Sequence, residues 1–333
     1  MTLKFALNAS RYCIKRQQNI VDSISTLPSP ARPSLSFPSH CSKATFRTMA
    51  AHNTPSTRLI RFVSKDDGNT YYGRADAALQ EAEALTGGSP FSTSIKSTGV
   101  RHPISRLLSP LARGDCRGIV CIGLNYRDHA EEAKMAIPTI PVVFHKPITA
   151  LSGPVDDLRV PKLSWEKGGL DYEGELVIVI GKEASRVSEE QALDYVYGFT
   201  AGNDFSNRPW QLEKSLSGGQ WCFSKSFDTS APIGPAIVSK EELGGDASKL
   251  FIRTRVNGET MQDSSTSQMI FSAAKLVSFL SQGMTLLPGT LIFTGTPAGV
   301  GLGRSPQVVV KEGDVVEVEI EGIGAIKNNV VYE

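Results

Sequence analysis

Three segments of this 333-residue chain carry side chains able to act together. The first reads Asp171-Tyr-Glu-Gly-Glu-Leu-Val-Ile-Val-Ile180. Glu173 and Glu175 stand two apart at the head of an apolar run. The side-chain period of a strand aims both carboxylates the same way. Two carboxylates at the edge of a core repel, so their burial asks for a cation or a paired base. Gly174 between them is expected to leave space on the opposite face. A pair of solvated acids at a strand end is the plain alternative.

The second segment runs from Gly198 to Gln211. Asp204 follows a short apolar strand. Arg208 and Gln211 come four and seven residues later, on a short helix with Pro209 in its first turn, so 204, 208 and 211 would share one face. A third carboxylate beside a guanidinium and an amide fits a metal site that also grips an anionic substrate, because Arg offers a planar fork to a carboxylate. A local Arg208–Asp204 salt bridge is the alternative. Three carboxylates with no His or Cys at ligand spacing imply a hard cation. Mg²⁺ comes first and Mn²⁺ second, Ca²⁺ is admissible, and Zn²⁺ is disfavoured.

The third segment is Gly123-Leu-Asn-Tyr-Arg-Asp-His-Ala-Glu-Glu132. His129 and Glu132 are neighbours at i, i+3 of a helix, and a His oriented by a carboxylate is a general base near neutral pH. Taken alone, a charged surface pair explains them as well. Lys225 lies in Ser224-Lys-Ser-Phe227. The Gly-rich turn Thr294-Gly-Thr-Pro-Ala-Gly-Val-Gly301 lacks both the Lys-Ser/Thr of a P-loop and the Rossmann spacing. Its amides and Thr296 could still hold an anionic oxygen.

These segments need a scaffold. Leu59–Val63 and Thr70–Tyr72 read as strands about a turn at Asp66-Asp-Gly68. Residues 75–86 have helical composition, and 87–117 read as a loop, making 59–110 a small N-terminal domain. From 118 strands dominate: Gly118–Leu124, Glu175–Ile180 buried on both faces, Phe251–Val256, Thr290–Thr294, Gln307–Val310, Val315–Ile320 and Ala325–Val331. Asn257-Gly258 signals a tight hairpin, and Lys311–Asp314 marks another turn. The capping box Ser188–Gln191 opens a helix to about Val196. A second helix, Ser272–Gln282, stops at Gly283. Without a repeat or a βα rhythm, the fold class is mixed α+β and β-rich, a sheet or sandwich of short strands with peripheral helices.

With 40% hydrophobic residues the chain can bury a core, and no apolar run approaches the ~20 residues of a membrane helix. The net charge of +1 gives no case for nucleic acid. It hides an asymmetry: residues 1–65 carry ten Lys and Arg against Asp22 alone, hence +9, and the rest carry −8. Residues 1–50 are basic, Ser-rich and almost acid-free, the composition of a disordered mitochondrial transit peptide. The alternatives are translation from Met49, which would leave the protein cytoplasmic, and an inert tail. The five cysteines, Cys13, Cys41, Cys116, Cys121 and Cys222, show no zinc spacing and read as reduced thiols. Cys121 is expected in the core, and packing is also the favoured reading of Cys222.

Taken together, the motifs resemble the fumarylacetoacetate hydrolase family. Those carrying the resemblance are Gly123–His129, Glu173-Gly-Glu175, Asp204 with Arg208 and Gln211, Lys225-Ser-Phe-Asp228, Val256-Asn-Gly-Glu259 and Thr294–Gly301, in the family's order over about 118–331. The resemblance implies a β-roll or β-sandwich, usually a homodimer. It implies Glu173, Glu175 and Asp204 as Mg²⁺ ligands and His129 with Glu132 as the catalytic dyad. Lys225, Arg208, Gln211 and Thr296 are implied as substrate-contacting or charge-stabilising groups. The namesake enzyme's fourth acidic ligand, seven residues before the His, is Ile122 here, as in the three-ligand branch. The segments Gly219–Lys225 and Arg304–Asp314 are most similar to the branch described as mitochondrial oxaloacetate tautomerases. The implied activity is metal-dependent keto–enol tautomerisation of oxaloacetate, a small anionic keto acid. Acylpyruvate hydrolysis and oxaloacetate decarboxylation are alternatives within the family, and a non-catalytic metal-binding protein is one outside it.

Overall fold

The computed structural model of the chain describes residues 58–216 and 219–333. The leader 1–50, Met49, Cys13 and Cys41 lie outside the described residues. Eleven strands form one long sheet. Its path runs Thr70–Ala75, Glu81–Thr86, Lys96–Leu108, Arg58–Ser64, Ala231–Val238, Val196–Asn203, Gly174–Ile180, Thr290–Phe293, Gly118–Gly123 and Val142–Lys146, with Leu151–Ser152 pairing alongside Ala231–Val238. A five-stranded sheet orders Glu259–Ser265, Phe251–Val256, Val315–Ile320, Gly324–Tyr332 and Leu158–Val160. Leu170–Asp171 and Ser206–Asn207 form a small ribbon of their own.

Gly174–Ile180 is the spine of the long sheet. It pairs antiparallel with Val196–Asn203 on one side and Thr290–Phe293 on the other. Every residue of it is buried. Leu176, Ile178 and Ile180 enter one core and Val177 and Val179 another. The β-branched run is thus covered on both faces, as its composition predicts. On the first face lie Ile252 and Ile320 of the five-stranded sheet and the helix Ala273–Gly283. That helix starts where expected, with Ser272 Oγ accepting from Lys275 N. Asn257 and Gly258 both have positive φ, +52° and +84°, as a tight hairpin turn needs.

Four expectations of secondary structure fail, and two about single residues fail with them. Residues 81–86 form a strand, because alternating Ala82 and Ala84 pack inward between two partners, and pairing overrides helix propensity. The stretch 87–117 contains the 13-residue strand Lys96–Leu108. Its exposed face keeps it polar, so no hydrophobic pattern marks it. The expected helix at 188–196 shrinks to a 3₁₀ turn at Ala192–Tyr195, since the next strand begins at Val196. Gln307–Val310 is irregular rather than a strand. Gly174 leaves no free space: a Cβ there would meet Thr254 Oγ1 at 2.2 Å and Val318 at 3.1 Å. It lets the five-stranded sheet approach the spine. Cys116 and Cys121 are buried, whereas Cys222 is exposed on the short helix Trp221–Ser224. Among the described residues no helix is long and apolar enough to cross a membrane.

Candidate active site

The head of the spine strand supplies the first carboxylates. Glu173 N donates to Asn203 Oδ1 (3.0 Å), and Asp204 N donates to the Glu173 carbonyl (2.8 Å). These bonds extend the Gly174–Asn203 pairing by one residue and set Glu173 beside Asp204. One oxygen from each of Glu173, Glu175 and Asp204 lies within 4.8 Å of the others, and all three residues are buried. The expected ligand set is therefore brought together. Asp204 joins it from a strand end, not from the helical face expected with 208 and 211: the helix begins at Arg208, capped by Asn207.

Three cations balance most of this charge. Lys225 Nζ, 2% exposed, donates to Glu173 Oε2 (2.6 Å), Asp204 Oδ2 (2.8 Å) and Ser206 Oγ (2.6 Å). Its three N–H groups are all engaged, and it sits 5.1 Å from the centre of the Phe144 ring. Burial favours its neutral form, but Asp204 and Glu173 outweigh that and hold the ammonium above its usual range. Arg208 Nη2 ion-pairs with Asp171 Oδ2 and Glu173 Oε1, each at 2.7 Å. Its Nε donates to Asp171 Oδ2 and its Nη1 to Gln211 Oε1. The salt bridge considered between Arg208 and Asp204 is not formed; Asp171 and Glu173 take its place.

Two charged residues escaped the sequence reading. Lys146 Nζ donates to Asp204 Oδ1 (2.6 Å) and to the Ser230 carbonyl (2.8 Å). Its signal was its parity with buried Phe144 on the strand Val142–Lys146. Asp171 is 1% exposed and accepts from Gly301 N (2.7 Å) and Leu302 N (3.0 Å). Its signal was the same alternation that links Glu173 to Glu175.

Glu175 is the exception in this cluster. It is 1% exposed and accepts one hydrogen bond, from Gly295 N (2.7 Å), and no ion pair reaches it among the described residues. Burial, then repulsion by Asp204 and Glu173, pushes its carboxyl well above the ordinary range. Glu173 shows the opposite balance. Burial raises it, but Lys225 and Arg208 outweigh burial and hold it at about 2. With all four ionised, Asp171, Glu173, Glu175 and Asp204 exceed Lys146, Arg208 and Lys225 by one negative charge, the charge that burial disfavours on Glu175. An all-oxygen set with one unbalanced buried charge fits a hard divalent cation.

His129 and Glu132 lie on the helix Arg127–Glu132 and pair through Nδ1 and Oε2 at 3.0 Å. An ionised carboxylate only accepts, so Nδ1 carries a proton, and in the neutral ring this leaves the lone pair on Nε2. Burial raises Glu132, yet the bonds from His129 and from Gly299 N (2.9 Å) hold it below the usual value. Asn125 anchors the base of this helix by donating to the carbonyls of Thr294 (2.7 Å) and Phe271 (3.1 Å). Ile122 is in the core, 1% exposed, and supplies no fourth ligand.

The amides of the Gly-rich turn do bind anionic oxygens, but they belong to the chain's own Glu175, Glu132 and Asp171. Thr296 Oγ1 donates to the Gly174 carbonyl (2.9 Å) and accepts from Gln262 Nε2 (2.8 Å).

The family described as fumarylacetoacetate (FAA) hydrolase C-terminal matches residues 118–331. The mitochondrial oxaloacetate tautomerase fahd2 of Xenopus laevis is 44% identical over 235 residues, covering 69% of this chain and 71% of that protein. The crystal structure of 2-hydroxyhepta-2,4-diene-1,7-dioate isomerase from Mycobacterium marinum is 38% identical, with a TM-score of 0.69 over 84% of this chain and 99% of that one. Fumarylpyruvate hydrolase from Pseudomonas aeruginosa, solved with Mn²⁺ and pyruvate, is 34% identical, with a TM-score of 0.59 over 69% of this chain and 93% of that one. The β-rich fold, the ordered motifs and this likeness over most of each relative's length agree: the chain belongs to the fumarylacetoacetate hydrolase family.

Proposed function

We infer that this enzyme interconverts the keto and enol forms of oxaloacetate with a divalent cation, Mg²⁺ in first place, held by Glu173, Glu175 and Asp204. The observation that carries the reading is the buried Glu175 carboxylate, left without a cation while every neighbouring acid has one. When bound, the cation supplies Lewis acidity to the oxygens of an α-keto acid. The chain's own residues do the rest. His129 Nε2 takes a proton from C3, and the electrons of that C–H bond form the C2–C3 double bond. The C2=O π electrons move onto the C2 oxygen, which takes a proton back from the His129 imidazolium directly or through water, and the reverse sequence regenerates the ketone. Glu132 fixes the His129 tautomer and balances the imidazolium.

Lys225 acts in this scheme as a fixed positive charge beside the ligands, because its donors are already engaged. Arg208 and Gln211 would contact a substrate oxygen through the N–H groups their mutual bond leaves over. Thr296 would contribute through its amide, since its hydroxyl is committed. The resemblance to a hydrolase solved with Mn²⁺ and pyruvate favours a second reading, in which the same base activates water against the distal carbonyl of a 2,4-diketo acid. A mitochondrial location is supported by the basic leader and by the Xenopus tautomerase, and a homodimer by the family resemblance. Side-by-side assays of enol-oxaloacetate conversion and acylpyruvate loss, each with and without chelator, test the reading. Chelator-sensitive tautomerisation as the faster activity is expected; rapid acylpyruvate hydrolysis with silent tautomerisation would reverse the order.

A further inference from the structure

The turn that follows Thr294 serves two groups of charges at once. Gly299 N donates to Glu132 Oε1, the partner of His129. Two residues later Gly301 N and Leu302 N donate to the two oxygens of Asp171, whose Oδ2 also takes Arg208 Nε (2.8 Å). Two glycines let the backbone come this close. A Cβ at Gly301 would lie 2.6 Å from Asp171 Oδ1, and one at Gly303 would lie 2.6 Å from Glu132 Cδ. Asp171 is buried beneath Arg208 and the turn.

We propose that Asp171 is a positioning residue. It holds Arg208 against the ligand Glu173 and pins the turn 299–302, and through that turn it sets where Glu132 holds His129. The turn is thus a strut between the metal-ligand cluster and the acid–base helix. A carboxylate that takes the amides of Tyr172, Gly301 and Leu302 and a guanidinium has one low-energy placement. The turn it fixes leaves Glu132 little room to drift. A displacement near 1 Å in a catalytic group costs about 10²-fold in rate. The catalytic part of this inference rests on the tautomerase reading above.

The test compares Asp171→Asn, Glu132→Gln and the double variant with the wild type, by amide hydrogen exchange and by steady-state kinetics. Asn keeps the shape but removes the charge and turns an N–H₂ toward a donor. The Gly299 amide does not touch Asp171, yet in Asp171→Asn it should exchange at least about tenfold faster. kcat should fall about 10- to 100-fold, with a smaller change in Mn²⁺ affinity. The double variant should lose no more than the worse single variant, because both act through one turn. Unchanged Gly299 exchange, or losses that multiply, would overturn the strut. If Asp171→Asn does not fold, Gly303→Ala presses on Glu132 from the other end, and faster exchange at Gly301 is then expected. If the wild type does not turn over oxaloacetate, the tautomerase reading fails, while the exchange arm still decides the strut.

Discussion

At the scale of single residues, the site is a balance of buried charge in which Glu175 and Lys225 pull stability in opposite directions. Glu175 is a buried carboxylate with one backbone donor, so its charge costs stability until a cation arrives. Glu175→Gln is therefore expected to raise the melting temperature of chelator-treated protein, by roughly 2–4 °C for each kcal/mol recovered. The same change should abolish the further rise that Mg²⁺ or Mn²⁺ gives the wild type. Lys225 holds Glu173 and Asp204 together. Lys225→Met should cost about 3–5 kcal/mol, the usual result of stripping one partner from a buried ion pair. A divalent cation should then raise the melting temperature of Lys225→Met by more than it raises that of the wild type. Thermal melts of both variants with and without metal check these signs. A Glu175→Gln protein that melts lower without metal would place a cation partner near Glu175 that the charge balance omits.

At the scale of elements, the helix Arg127–Glu132 and the spine Gly174–Ile180 make the site, and each has its own signature. Glu132 is held below the usual carboxylate value in the folded chain. Its ionised form thus adds stability above the unfolded value, and that stability is lost as pH falls through the depressed folded value. Acid titration of the melting temperature should show the wild type losing its advantage over Glu132→Gln as pH drops. A constant difference between the two would refute it. Gly174→Ala sets a methyl against Thr254 and Val318 and is expected to cost about 1–3 kcal/mol by forcing the two sheets apart. The spine was legible because a β-branched run buried on both faces has one reading, and so was the Asn257-Gly258 hairpin. Lys96–Leu108 was not, because a half-exposed polar strand carries no hydrophobic period. In the site, the shared face of Glu173 and Glu175 and the His129–Glu132 contact were legible from local spacing, whereas Asp204 beside them was implied only by the family resemblance. Lys146 and the Asp171–Arg208 pair depend on chain crossings of 58 and 37 residues, which no local pattern reports.

At the scale of the whole molecule, charge is divided between a basic leader and an acidic body. The leader 1–50 carries +6 and residues 51–333 carry −5 by sequence, the latter the same sign as a keto-dicarboxylate. Long-range steering therefore opposes substrate, and attraction is confined to the site. Added salt screens that repulsion beyond ~10 Å at 0.1 M. KM for oxaloacetate should hold steady or fall as ionic strength rises; a steep increase would reveal a steering field that the net charge does not contain.

The measurement that bears most directly on this function is a Mn²⁺ titration of chelator-stripped, full-length protein, following cation bound and enol-oxaloacetate conversion in the same samples. Activity should return in proportion to bound cation and saturate at one per chain, and Glu175→Gln should recover neither. Full tautomerase activity in stripped protein, or tight binding of Mn²⁺ that restores none, would contradict a metal-assisted tautomerase built on Glu173, Glu175 and Asp204.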